Sequence, residues 1–130
     1  MIYLDSAALV KLAIVEADSV ALTRWLAEQA DQARVTSEIA RVEVTRAVMR
    51  AMPTALLQAH HVVARAYKVA ITEQVLTTAA SLQPQTLRSL DAVHLASALT
   101  LGGRLTAFVC YDARLNAAAE ALRLPVVSPV

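Results

Sequence analysis

Four carboxylates of this chain stand where ordinary surface acids do not. Asp5 and Asp112 each follow a short apolar run, at residues 1–4 and 105–111, and each opens a helix-forming stretch. An acid at such a handover lies at the carboxyl edge of a parallel sheet, where open α/β folds bind their ligands. Glu43 shares a helical face with Ile39, Ala40 and Ala47, and Asp91 lies among Leu87, Leu90, His94, Leu95 and Ala98 at helical spacing. A charge turned into an apolar stripe needs a partner. Two unpaired carboxylates about 4 Å apart repel by about 4 kcal/mol at an effective dielectric of about 20, and a divalent cation offsets that repulsion. Hard oxygen donors select Mg²⁺, with Mn²⁺ as a substitute, over Zn²⁺. Carboxylates around such an ion suit phosphodiester hydrolysis, the metal activating the attacking water. Asp5, Asp91 and Asp112 are the candidate direct ligands, and Glu43 a further ligand or the group that positions the water.

Each acid also has a plain structural reading. Asp5 and Asp112 would cap helices, Glu43 would pair with Arg46 or Arg50, and Asp91 with Arg88. Ser6 serves equally as a helix N-cap or as a hydroxyl beside Asp5 that orients water or phosphate. His94, one turn after Asp91, reads as a core histidine behind the acids rather than a general base. His60 and His61 occupy adjacent helical positions about 100° apart, a poor geometry for sharing a metal. Cys110 reads as a buried strand residue and Trp25 as packing or an oligomer contact. Arg88, Arg46 and Lys11 are candidates for phosphate contacts, with solvated or ion-paired roles as the alternative.

The elements that must position these groups alternate. Apolar runs predict strands at 1–4, 34–36, 69–71, 105–111 and 125–128, with helices over 7–13, from 19 onward, 38–52, after Pro53, 73–82, 87–101 and 113–122. The fourth helix is expected to bury Leu56, Leu57, His60, Val63, Ala64 and Tyr67. Ser6, Ser37 and Thr72 are the expected caps. This is the pattern of a parallel sheet flanked by helices, in one domain over residues 1–130.

Composition narrows the classes. The chain is 57% hydrophobic and 18% charged, which excludes disordered and collagen-like proteins. A net charge of +1 without any charged tail limits nucleic-acid contact to a local patch. The single cysteine excludes an internal disulfide and a thiolate zinc cluster and fits a reducing, cytoplasmic location; no charge-free run reaches membrane-spanning length. The mean hydropathy of +0.49 fits either a surface buried in a dimer or partner, or alanine-rich helices alone.

Residues 3–11 around Asp5, 87–96 around Asp91 and 109–115 around Asp112 resemble the PIN-domain family, and within it the VapC-type toxins, with residues 37–44 supplying the helical acid Glu43. The resemblance runs the length of the chain in order. It implies a three-layer α/β fold with a short, mostly parallel sheet, and a Mg²⁺-dependent endoribonuclease whose acids are Asp5, Glu43, Asp91 and Asp112. It further implies the toxin of a bacterial toxin–antitoxin pair, usually dimeric, with a cognate VapB-type antitoxin covering the acidic pocket and RNA as substrate. Two positions depart from the pattern: Cys110, where Thr or Ser is common, and Arg123, where Gly is common. The alternative is a catalytically silent PIN-fold binding module. A phosphoacceptor domain would need an acidic pair after the first strand, and a haloacid-type phosphatase an Asp at position 7, where this chain has Ala7.

Overall fold

Ile2 and Leu4 point to one face of a strand and Tyr3 to the other, yet all three are buried, so their strand needs cover on both sides. The computed structural model, which describes all 130 residues, provides it. Strands β1 (Ile2–Leu4), β2 (Arg34–Ser37), β3 (Tyr67–Val69), β4 (Ala107–Val109) and β5 (Val126–Val127) form one sheet in the order β3-β2-β1-β4-β5. Every pairing is parallel. Around the sheet lie α1 (Ser6–Ala13), α2 (Ser19–Glu28), α3 (Ala40–Ala51), α4 (Leu56–Ala64), α5 (Glu73–Ser81), α6 (Ser89–Leu99) and α7 (Ala113–Ala121). No helix is long and apolar enough to cross a membrane.

The pleat of the sheet sorts the core into two halves. Ile2, Leu4, Ala107 and Val109 pack with Leu9 of α1, Leu22 and Leu26 of α2, Val44 and Val48 of α3, and Ala59 and Val63 of α4. Tyr3, Val35 and Phe108 face the other way, onto Leu95 and Ala98 of α6 and Leu115, Ala118 and Ala119 of α7. Tyr3 and Phe108 stack across neighbouring strands with ring centroids 5.5 Å apart. Helix layers therefore sandwich the sheet, and α5 rests on α6. Each fully buried Leu, Ile or Phe contributes about 1.5–3 kcal/mol. The acids emerge where the chain order reverses: β2 lies on one side of β1 and β4 on the other. The crevice beyond the carboxyl ends of two such strands is the usual ligand site of doubly wound sheets.

Several local expectations are corrected. Asp5, not Ser6, caps α1: its backbone is extended and its Oδ1 accepts the Ala8 amide at 2.8 Å, whereas Ser6 is already helical. Ser37 ends β2, and α3 starts at Ala40 without a side-chain cap; the Ser37 hydroxyl instead accepts the Ile39 amide at 3.3 Å. Thr72 does cap α5, accepting from Val75. Strand β3 begins at Tyr67, two residues before the expected start, and Tyr67 is 71% exposed. In α4 the buried residues are Ala59 and Val63, while Leu57, His60 and Ala64 face outward. That helix is apolar on both sides, so periodicity alone could not choose its inner face. Helix α6 is shorter than expected because Arg88 is extended, at φ −61° and ψ 145°.

Arg123 adopts φ 60°, the left-handed conformation that closes α7 as the Leu124 amide turns back to the Ala119 carbonyl. Glycine is the residue favoured there, which accounts physically for its being common at this position and leaves Arg123 in a conformation that costs this chain some strain.

Candidate active site

The four acids line a single cavity of about 790 Å³ beyond the carboxyl ends of β1 and β4, together with Ser6, Arg46, Arg50, Arg88 and His94. Asp5 and Asp112 are N-caps of α1 and α7, and Glu43 and Asp91 lie in the first turns of α3 and α6. Four helices thus direct their partially positive N-terminal ends toward the acids, which favours the ionised carboxylates.

The capping readings of Asp5 and Asp112 hold, and they engage one oxygen each. Asp112 Oδ1 accepts from the amides of Arg114 and Leu115, both at 2.9 Å. Its Oδ2 instead accepts from Arg88 Nη2 at 3.1 Å, while Arg88 Nε donates to Asp91 Oδ2 at 2.8 Å. The expected Arg88–Asp91 pair is therefore present and extends to Asp112. Asp5 makes no ion pair and is 5% exposed. Burial pushes its carboxyl above the ordinary value, although the Ala8 amide and the Cys110 thiol support the charge.

Glu43 pairs with neither Arg46 nor Arg50. Its Oε1 accepts from Ser6 Oγ at 2.8 Å and lies 2.7 Å from His94 Nε2. On the far side of the imidazole, the Tyr3 hydroxyl is 2.8 Å from Nδ1. A carboxylate oxygen can only accept, so Nε2–H donates to Glu43, and in the neutral ring the tyrosine hydroxyl then donates to Nδ1. Burial alone would raise the Glu43 carboxyl, but the hydrogen bonds from His94 and Ser6, with the nearby charge of Arg88, hold it below its ordinary value. His94 is 2% exposed and supports Glu43 from behind. This Tyr3–His94–Glu43–Ser6 chain was not anticipated as a unit. A signal existed: a tyrosine in a strand buried on both faces must find a partner for its hydroxyl.

Cys110 lies fully buried just after β4, and burial together with the Asp5 charge raises its thiol far above the ordinary range. It therefore stays a thiol and no nucleophile. Lys11, one of the candidate phosphate-binding cations, turns away to the Ala17 carbonyl and Glu16. Arg46 and Arg50 project from α3 into the same cavity and make no ion pair, which leaves two free cations on its wall.

The donor set is chemically suited to a hard divalent ion: oxygen ligands only, helix N-termini behind them, and one buried carboxylate without a counter-charge. A cation already sits between two of the acids, as the guanidinium of Arg88. As the side chains stand, no three His, Cys, Asp or Glu groups are close enough together to hold one ion.

A family model described as PIN domain matches residues 2–121. The chain belongs to the PIN-domain family. Among curated proteins, this PIN domain is 45% identical to Ribonuclease VapC35 of Mycobacterium tuberculosis, covering 99% of the chain and 97% of that relative. It is 41% identical to Ribonuclease VapC46, over 98% of the chain and 97% of the relative, and 39% identical to Ribonuclease VapC47, over 99% and 97%, both of the same organism. No solved structure matches the chain.

Proposed function

We propose that residues 1–130 form one PIN domain that acts as a VapC-type endoribonuclease, hydrolysing RNA phosphodiester bonds with Mg²⁺, or Mn²⁺ in its place, held by Asp5, Glu43, Asp91 and Asp112. One observation carries the reading: four acids from four separate segments line one cavity whose wall also holds the unpaired cations Arg46 and Arg50. The naming of the VapC relatives as ribonucleases supports it. The chemistry a bound Mg²⁺ supplies is Lewis acidity toward water and phosphate oxygen.

The protein's own groups divide the remaining work. The Ala8 amide fixes the Asp5 carboxylate through Oδ1 and leaves Oδ2 for a ligand. His94 and Ser6 hold Glu43 in one orientation as an ionised base or ligand beside the attacking water. Arg46 and Arg50 grip phosphates flanking the scissile bond, since a guanidinium matches phosphate in a planar fork. Single-stranded or looped RNA is the substrate class, because its flexible backbone can bring a phosphodiester into a concave acidic cavity; with no Phe, Tyr or Trp in the lining, the cavity grips the backbone more than it reads bases. In the cell the chain acts as a homodimeric cytoplasmic toxin restrained by a VapB-type antitoxin.

Asp5→Asn tests the reading, because asparagine keeps the Oδ1 acceptor for Ala8 but loses the charge. The variant is expected to fold and to lose Mg²⁺-dependent RNA cleavage; cleavage at the wild-type rate refutes the assignment. A thermal shift on adding Mn²⁺ that disappears when the four acids are replaced by alanine marks the metal site. Growth arrest relieved by the neighbouring small reading frame establishes the toxin pair.

A further inference from the structure

Arg88 alone among the arginines and lysines contacts the proposed metal acids. Its fork spans two elements, donating through Nε to Asp91 at the start of α6 and through Nη2 to Asp112 at the start of α7. Nothing else fixes the side chain, which is 70% exposed and takes no part in capping α6. The two carboxylates it touches are more sheltered, at 19% and 35% exposure. The cation is therefore the loosely held member of the triad and the acids the fixed ones. Meanwhile no three acidic groups are gathered tightly enough to share an ion. Two oxygens of the proposed metal acids, Asp91 Oδ2 and Asp112 Oδ2, are both occupied by Arg88.

We propose that Arg88 is an exchangeable counter-ion, whose guanidinium fills the cation position between Asp91 and Asp112 in the metal-free protein and must swing out before those carboxylates can hold a divalent ion. The proposal rests on the metal-binding reading above and adds a residue that sets the affinity of the site. Charge enforces the exchange, since a guanidinium and a divalent cation at the same two oxygens repel at short range. Arg88 also prevents the two like charges from destabilising the metal-free cavity. Its long side chain leads outward, so it can withdraw without disturbing the core.

The test is a calorimetric titration of Mn²⁺ into the full chain at low ionic strength, comparing wild type with Arg88→Met, Arg88→Lys and Asp91→Asn. An exposed ion pair is worth a factor of up to about five, so giving up two makes the expected tightening in Arg88→Met about two- to thirtyfold. Arg88→Lys, which keeps the charge without the fork, falls between, and the gap narrows as salt screens the pair. Asp91→Asn weakens binding. Metal-free Arg88→Met melts below wild type but gains more on saturation with Mn²⁺. Affinity in Arg88→Met equal to or weaker than wild type overturns the exchange while leaving the metal site standing. An equal melting loss with and without Mn²⁺ marks Arg88 as merely structural and also overturns it. If no protein binds Mn²⁺, the metal reading fails, and the exchange with it.

Discussion

Replacing His94 by alanine probes the link between the core and the site. The imidazole is enclosed and serves the Tyr3 hydroxyl, Glu43 and Ser6 within 3.0 Å. Alanine would remove an aromatic ring from a packed layer, at a cost of about 1–3 kcal/mol after partial relaxation. It takes the Nδ1 partner from the hydroxyl of Tyr3, a fully buried side chain with only Ser97 and the Ser37 backbone beside it as substitutes, for about 1–3 kcal/mol more. Glu43 keeps Ser6 as a donor, so its loss is the smaller one, about 1 kcal/mol. Because the new cavity is polar and roomy enough for water, the net expectation is about 3–5 kcal/mol rather than the largest combination. Urea unfolding in EDTA at neutral pH, followed by the fluorescence of Trp25, measures it without any metal contribution. Tyr3→Phe alone is expected to cost about 1–2 kcal/mol by leaving Nδ1 without a donor. In the His94→Ala background the same change should cost almost nothing, a coupling of about 1–2 kcal/mol. A loss below about 1 kcal/mol for His94→Ala, or strict additivity with Tyr3→Phe, would refute the buried relay.

Other outcomes follow from the same geometry. Glu43 sits below its ordinary pKa, so its contribution to stability is present above the ordinary carboxylate range and is lost as pH falls through the depressed value. Asp5 sits above its ordinary value and acts with the opposite sign: its ionisation costs stability as pH rises from the ordinary value through the raised one. In urea midpoints of metal-free protein between about pH 3 and 8, Glu43→Gln should therefore lose stability toward neutral pH and Asp5→Asn should gain it; the reverse order contradicts the assigned environments. In the Asp5→Asn background, Arg46→Ala and Arg50→Ala should each weaken RNA binding without regard to sequence and flatten the log–log salt slope by about 0.7, read by fluorescence anisotropy. An unchanged slope removes that arginine from the phosphate track. Arg123→Gly should raise stability by about 0.5–1 kcal/mol, because Arg123 holds a positive φ that glycine adopts without strain. A loss in thermal unfolding would show that the turn is held by the arginine side chain.

The element types and their order were legible in the amino-acid sequence, because alternating apolar runs and helical stripes record which faces must be buried, and that physics is local. The resemblance to the PIN-domain family was legible as well, since motif residues flank Asp5, Asp91 and Asp112. Boundaries were less legible where two local solutions compete. Asp5 and Ser6 both make good caps, and only the packed chain shows that the Ser6 hydroxyl is taken by Glu43. Helix α4 has apolar residues on both sides, and only its contact with α1 and α3 selects the inner one. The partners of the acids belonged to tertiary structure altogether. Glu43 and His94 are 51 residues apart, and Arg88 and Asp112 are 24 apart. Spacing along a helix reveals neighbours within one element, so it found the bond from Arg88 to Asp91 and could not find the bond to Asp112. Which carboxylate meets a histidine, which meets a guanidinium and which is left buried without a counter-charge depends on how strands β1 and β4 are laid side by side, and that is decided by the whole core at once.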